Sequence, residues 1–373
     1  RHEDRALAVA DLAFGAGARE LGLEVAQEGC EIEVELGGVR RLEPLRRLLE
    51  EIDHIDGPES LRTVAARLAP TGVSLPVSLS VAPDFDNSQR HLLYLGQGGL
   101  GLPERDYYFR DDEASTTLRS QYEEHIAAIL ELSQHADPGT AATQILELET
   151  ALAEAAHTAT ELRDLDLVLN RRTAAEIADL MPRYDLPQLL AGASIPPLEA
   201  ANIGNPAFLA AADRILAETA SSTLRAYARW AALRATASGL SGNFEDESFR
   251  FYGQILGGQQ QQKDRWQRVQ RAATVEIGQV VSQLYVARAF RPDSRKRAQA
   301  LVDRLLEAMG DSIREATWMS EETAHAALVK LAAFTTKIGY PDVWIDYSGL
   351  QLSGEDPWIT VRLAARAFEF RRK

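Results

Sequence analysis

Cysteine is almost missing from this chain: Cys30 is the single one in 373 residues. That excludes an internal disulfide framework and leaves two settings open, a reducing compartment or a bacterial secreted protein that never relied on crosslinks. Cys30 lies in Gly29-Cys30-Glu31-Ile32, beside an acid that raises rather than lowers a thiol pKa, so it reads as a buried or incidental thiol and not as a nucleophile. Positive charge is also short. Forty Lys and Arg face 55 Asp and Glu, for a net charge of −15 at pH 7. With no basic stripe to neutralise phosphates, no nucleic-acid partner is expected. Lysine in particular is scarce: Lys263, Lys296, Lys330, Lys337 and Lys373 are the only ones among 40 basic residues, a bias that points to a GC-rich bacterial coding sequence. No run approaches the roughly 20 apolar residues that span a bilayer. Arg1-His2-Glu3-Asp4-Arg5 does not begin a signal peptide. A soluble bacterial protein is the expectation, with cytoplasmic and secreted locations both open.

Familiar catalytic signatures are missing too. There is no G-x-S-x-G elbow for a serine nucleophile and no G-x-x-x-x-G-K-[ST] phosphate loop. The seven histidines are His2, His54, His91, His125, His135, His157 and His325, and no two lie three to five residues apart. A helix-borne zinc pair needs i, i+4 spacing, which sets both imidazoles on one face and leaves a coordination position for water. His125 is followed by Ile126 and His325 by Ala326, so neither begins such a motif. The histidines read as solvated or satisfied structural residues; a zinc site assembled from distant histidines in space stays open.

What is present is helix. Apolar residues make up 45% of the chain, ample for a core, and recur mainly at helical spacing. Leu118, Tyr122, His125, Ile126, Ile129 and Leu130 mark one face, and Ile145, Leu148, Leu152 and Ala155 the next. Asp137-Pro138 and Asn205-Pro206 each supply a cap followed by a first-turn proline, and Thr173-Ala174-Ala175-Glu176 is a capping box. Further helices are expected over 222–236, 264–289, 293–316, 321–333 and 358–370. In the last, Ile359, Leu363, Ala367 and Phe370 form a stripe expected to await a partner surface. The exception is Pro76-Val77-Ser78-Leu79-Ser80-Val81, alternating at period two, then a turn-rich stretch and the run His91 to Leu95, which together predict a small antiparallel hairpin.

That hairpin leads into Gly96-Gln97-Gly98-Gly99-Leu100-Gly101-Leu102-Pro103. Gly96, Gly98 and Gly101 satisfy the dinucleotide fingerprint G-x-G-x-x-G, but Pro103 denies the segment the helix whose free N–H groups would hold a pyrophosphate. Close backbone packing and turns at positive φ account better for these glycines.

The longer string Leu95 to Tyr108 resembles a signature of the N-terminal half of neprilysin-type zinc metallopeptidases, the family that includes the endothelin-converting enzymes. Further blocks match in order: Asn205-Pro206, Phe249-Arg250-Phe251-Tyr252-Gly253, Gly257-Gly258, Arg265-Trp266 with Arg268, Gln283-Leu284-Tyr285-Val286, Trp318-Met319-Ser320 and Lys337-Ile338-Gly339-Tyr340-Pro341. They span about Leu45 to Tyr347. The resemblance implies a mainly α fold, a multi-helix lobe with a small β-hairpin like the helical cap lobe of those peptidases. It implies residues 1–350 as that lobe and 351–373 as a connection toward a catalytic lobe not contained here. The family's H-E-x-x-H helix, its later glutamate ligand and its Asn-Ala-aromatic substrate strand are not found in this sequence. The resemblance therefore carries over no catalytic residue and no metal ligand, and leaves substrate-binding residues unassigned. It implies the substrate-enclosing part of a zinc metalloendopeptidase, inactive alone, with zinc in the complete enzyme, peptide substrates and a catalytic lobe in cis or trans as partner. A stand-alone, non-catalytic peptide- or protein-binding lobe is the alternative.

Overall fold

The structure, a computed structural model, describes residues 40–240, 242–353 and 356–372; His2 and Cys30 lie outside them. Contacts gather the described residues into two compact units, one holding Asp264–Gln351, the other residues 40–263 together with those from Leu352 onward.

The larger unit begins with a 3-10 turn, Arg40–Leu45, followed by α1 (Arg46–Asp53), α2 (Pro58–Leu68), β1 (Val77–Pro83) and β2 (His91–Gln97). A 3-10 turn at Arg105–Tyr108 precedes α3 (Glu113–Leu132), α4 (Pro138–Ala155), α5 (Leu165–Val168), β3 (Arg171–Thr173), α6 (Ala174–Leu180), α7 (Leu186–Gly192) and β4 (Ala200–Ile203). Then come α8 (Pro206–Glu218), α9 (Ser221–Thr236), α10 (Gly242–Ser248) and a π-helical segment, Phe249–Ile255. The smaller unit holds α11 (Arg265–Ala289), α12 (Pro292–Glu315) and α13 (Glu321–Ala332); α14 (Trp358–Arg372) returns to the larger one. The fold is mainly α, as the spacing predicts, and the expected helices are found with their ends within a residue or two.

Capping chemistry sets several of these ends. The Asp137 carboxylate accepts from the Thr140 N–H, and the Asn205 side-chain oxygen from the Phe208 N–H at 2.9 Å. Thr173 and Glu176 form the reciprocal box, each side chain accepting from the other's backbone N–H. α9 is buried over most of its surface, with Leu224, Tyr227, Trp230 and Leu233 all inside and Arg225, Arg229 and Arg234 bonded to Ile55, Asp53 and Leu100, and it packs against α1, α2, α3 and α4 as the axis of the core.

The hairpin is present, with Val77 opposite Gln97 and Pro83 opposite His91, but it belongs to a four-stranded sheet ordered β1-β2-β4-β3. β4 runs parallel to β2, Leu95 opposite Ile203, and antiparallel to β3. Strands of three and four residues are too short to display alternation; they exist because β2 offers a second edge whose backbone groups need partners.

α14 also departs from its expectation. Ile359 is buried against the turn at Gly239, Leu363 packs on the core, and Arg366 donates to the Thr71 carbonyl. Ile359 and Leu363 of the stripe are thus seated on their own chain, the helix packing beside residues 69–71 and 237–239, while Ala367 and Phe370 stay half-buried.

In the smaller unit α13 packs on α12, and the loop after α13 folds back over the helices. Tyr340 meets Phe290 edge-on at 5.5 Å and stacks on Trp344, while Arg295 lies 4.8 Å over the Tyr340 ring and pairs with Asp342 at 2.7 Å. α11 is kinked at Ile277, whose φ of −133° and ψ of 41° are not helical.

Candidate functional site

The glycine segment singled out by the sequence runs over a fully buried carboxylate. Glu149, on α4, accepts through Oε2 from the Gly101 N–H at 3.1 Å, the Tyr108 hydroxyl at 2.7 Å and the Tyr122 hydroxyl at 2.8 Å. Its Oε1 accepts from the Trp230 indole N–H at 3.1 Å. The carbonyls of the segment are held as well: Gly99 by the Tyr227 hydroxyl at 2.9 Å, Leu100 by Arg234 at 2.6 Å and Gly101 by the Tyr252 hydroxyl at 3.1 Å. The Leu102 N–H donates to the Tyr108 oxygen at 3.0 Å.

This tightness is why small residues stand here. Gly99 has φ of +82°, and a β-carbon on it would run into the Tyr227 hydroxyl; one on Gly101 would fall on the Tyr122 hydroxyl. The Gly101 and Leu102 N–H groups are spent on Glu149 and Tyr108, and the chain continues into a 3-10 turn rather than an α-helix. The arrangement needed for a pyrophosphate does not form, and the segment is a braced crossing.

Burial is the largest influence on Glu149 and raises its pKa, while Arg234 and the donating hydroxyls pull it down. All four direct partners donate, the arrangement of an ionised carboxylate. Burial likewise pushes Tyr108, Tyr122 and Tyr227 far above the usual phenol value and Tyr252 up to about 12, so all four remain donors. Burial works against the Arg234 charge, but Tyr252, Tyr122 and Glu149 more than offset it and raise its pKa. Sequence spacing contained a signal for Glu149: it is the acid on the face of α4 marked by Ile145, Leu148 and Leu152. The partners that make it tolerable come from residues 101–122 and 230–252, which no local pattern connects.

Beside this brace His125 is buried, stacked on Phe251 with centroids 4.8 Å apart and edge-on to Trp230 and Tyr252. Its Nδ1 is 2.7 Å from Glu247, which also takes both arms of Arg250 at 2.7 Å. Burial, the largest cause, lowers the His125 pKa despite Glu247. Glu247 resists its own partial burial through His125 and Arg250 and ends below the usual carboxylate range. The consistent assignment is a neutral His125 donating Nδ1–H to an ionised Glu247.

Zinc, which the resemblance implies for the complete enzyme, finds no fitting set of ligands among the described residues. Among the described residues no three of His, Cys, Asp and Glu stand together as a possible metal site. His54 Nδ1 meets the Glu50 carbonyl, His135 Nδ1 accepts from the Asp137 N–H, and His125 is committed to Glu247. The clefts on the larger unit include two of moderate size. One of about 300 Å³ is lined by Asp53, His135, Arg225 and Arg229 among others; the second, about 370 Å³, lies between Leu45, Leu68, Val73 and Leu363. Both lie away from the brace. Among the described residues no helix is long and apolar enough to cross a membrane.

The multi-helix lobe with its braced glycine crossing is the N-terminal region of a metallopeptidase family. A model for the N-terminal part of peptidase family M13 matches residues 36–341. The chain belongs to peptidase family M13. It is 28% identical over 321 residues to rat endothelin-converting enzyme 1, a match covering 82% of this chain and 42% of the relative. It is 28% identical to neprilysin-2 of Drosophila melanogaster, covering 72% of this chain and 37% of that protein. The inhibitor-bound zinc metalloprotease Zmp1 of Mycobacterium tuberculosis superposes with a TM-score of 0.86 at 31% identity, covering 99% of this chain and 57% of the other. The chain thus spans less than half the length of the curated relatives it matches.

Proposed function

We propose that this chain is the N-terminal, substrate-enclosing part of a bacterial neprilysin-like zinc metalloendopeptidase, acting in peptide hydrolysis without supplying zinc ligands. The observation that carries this is the family match over residues 36–341, set beside the 42% of rat endothelin-converting enzyme 1 that the chain covers. An internally braced helical core, as in the larger unit, suits a wall better than a reacting surface. Enclosure of a site excludes folded proteins and bulk water, so peptides small enough to enter are the substrates. The zinc and the general base belong to a catalytic part, in cis or in trans.

The test is metal analysis and cleavage of a quenched fluorescent peptide by the purified chain, alone and co-expressed with the reading frame that follows Lys373. The expected result is neither retained zinc nor cleavage alone, and chelator-sensitive cleavage for the pair. Stoichiometric zinc held through dialysis by the chain alone, with cleavage, would overturn the proposal.

A further inference from the structure

One cleft on the larger unit is lined by charges of both signs that the fold has not used up. Gln144 on α4 meets Thr223 on α9, and further along Glu149 meets Trp230, so the two helices lie side by side and run in the same direction. Both start at the same end of the unit, and the cleft of about 300 Å³ opens there, between them and the end of α1. α9 presents Ser222, Arg225 and Arg229 to it, at i, i+3 and i+7 on one helical face. Asp137, the cap of α4, lines the opposite side.

Each arginine is tethered by one arm. Arg229, its side chain only 12% exposed, gives Nη2 to Asp53 at 2.6 Å, and Arg225 gives Nη1 to the Ile55 carbonyl at 2.8 Å. Arg229 thus has its counter-charge, whereas Arg225 has a neutral acceptor. The Nε–Nη2 edge of Arg225 is left over, and such an edge takes a carboxylate through two parallel bonds. Asp137 spends Oδ1 on the Thr140 N–H and keeps Oδ2; Gln144 accepts from Thr223 and keeps its amide hydrogens. Among the described residues none of these remaining groups has a protein partner.

We propose that this cleft binds a small zwitterion, a free α-amino acid or a dipeptide, with its carboxylate on the Arg225 fork and its ammonium group at Asp137. The lining selects that class. A phosphate would meet Asp53 and Asp137, and a simple cation would meet Arg225 and Arg229; a ligand with one charge of each sign satisfies both. Volume sets the size, because about 300 Å³ is the small end of ligand sites. The inference goes beyond the function proposed above and stands whether or not this chain serves a peptidase.

The experiment uses the full 373-residue chain, with alanyl-alanine as the probe beside its N-acetylated and C-amidated forms and free alanine. Isothermal titration reads binding, and hydrogen exchange over residues 221–229 locates it. The expected result is saturable binding of alanyl-alanine, alanine or both, with each blocked dipeptide at least tenfold weaker than the free one. Ser222→Asp puts a competing carboxylate beside Arg225 and should abolish binding; its melting temperature should hold or rise, since an acid suits the first turn of a helix. Asp137→Asn keeps a good cap, and with it the fold, but should bind the free and N-acetylated dipeptides alike. No saturable binding at millimolar concentration overturns the inference. So does binding that Ser222→Asp leaves unchanged, or equal binding of blocked and free dipeptides by the wild type. None of these outcomes bears on zinc or peptide cleavage, so the proposed function is tested separately.

Discussion

The Glu149 carboxylate on α4 accepts the Gly101 backbone N–H at 3.1 Å, across 48 residues of sequence, and through that bond the glycine crossing is tied to the centre of the helical core. Removing the carboxylate strands two phenolic hydroxyls and an indole N–H, leaves the Gly101 N–H only the Tyr108 oxygen, and takes the neighbouring charge from Arg234. Glu149→Ala should therefore cost about 3–5 kcal/mol, the range for breaking a buried charge network by deleting one member. Urea unfolding measures it, and Glu149→Gln, which keeps an acceptor oxygen, should lose less. A cost under about 1 kcal/mol for Glu149→Ala would sink the brace.

Gly101→Ala places a methyl group on the Tyr122 hydroxyl, so the tyrosine or the crossing has to shift. Overpacking of this kind costs about 1–3 kcal/mol. Gly139, in the first turn of α4, has open space around its would-be β-carbon, and Gly139→Ala should be neutral or stabilising by up to about 1 kcal/mol through the unfolded state. Thermal unfolding of the two variants side by side reads the contrast; equal effects would mean that the close approach at Gly101 does not constrain the fold.

His125 predicts a pH dependence. Its folded pKa is depressed, burial being the main cause, so the folded state binds its proton less readily than the unfolded chain, where histidine titrates near 6.5. The stability it contributes is present above about pH 6.5 and is lost as pH falls through the depressed folded value. The melting temperature should drop between pH 7.5 and 5.5, and His125→Gln should flatten that slope whatever it does to the absolute value. An unchanged slope would show that other groups carry the acid sensitivity.

Asn205 does more than cap. It accepts the Phe208 N–H at 2.9 Å and donates to the Ala155 carbonyl at 3.2 Å and to Gln97 Oε1 at 3.3 Å. Gln97 in turn pairs with both backbone groups of His157. Ser320, by contrast, caps α13 at an exposed end. Ser320→Ala should cost the usual 1 kcal/mol or so of a cap, and Asn205→Ala about twice that, because buried groups at the ends of β2 and α4 lose a partner as well. Denaturant midpoints with unchanged slopes would measure both; equal costs would reduce Asn205 to an ordinary cap.

The sequence alone determined what depends on nearest neighbours along the chain. Helical spacing located α3, α4, α9 and α11 to α13, and Asp137-Pro138, Thr173 with Glu176, and Asn205-Pro206 fixed helix starts, because caps act within one turn. Family membership was likewise legible, since ordered blocks from Leu95 to Pro341 survive without any knowledge of contacts. Tertiary structure decided the rest. β3 and β4 form only because β2 presents an edge. α14 lies on its own chain because Ile359 packs against the turn at Gly239, where a larger residue would crowd it. Glu149 is satisfied only because Tyr108, Tyr122 and Trp230 converge on it from separate segments. A buried charge is tolerable when its partners arrive, and where they arrive from is a property of packing that no local spacing encodes.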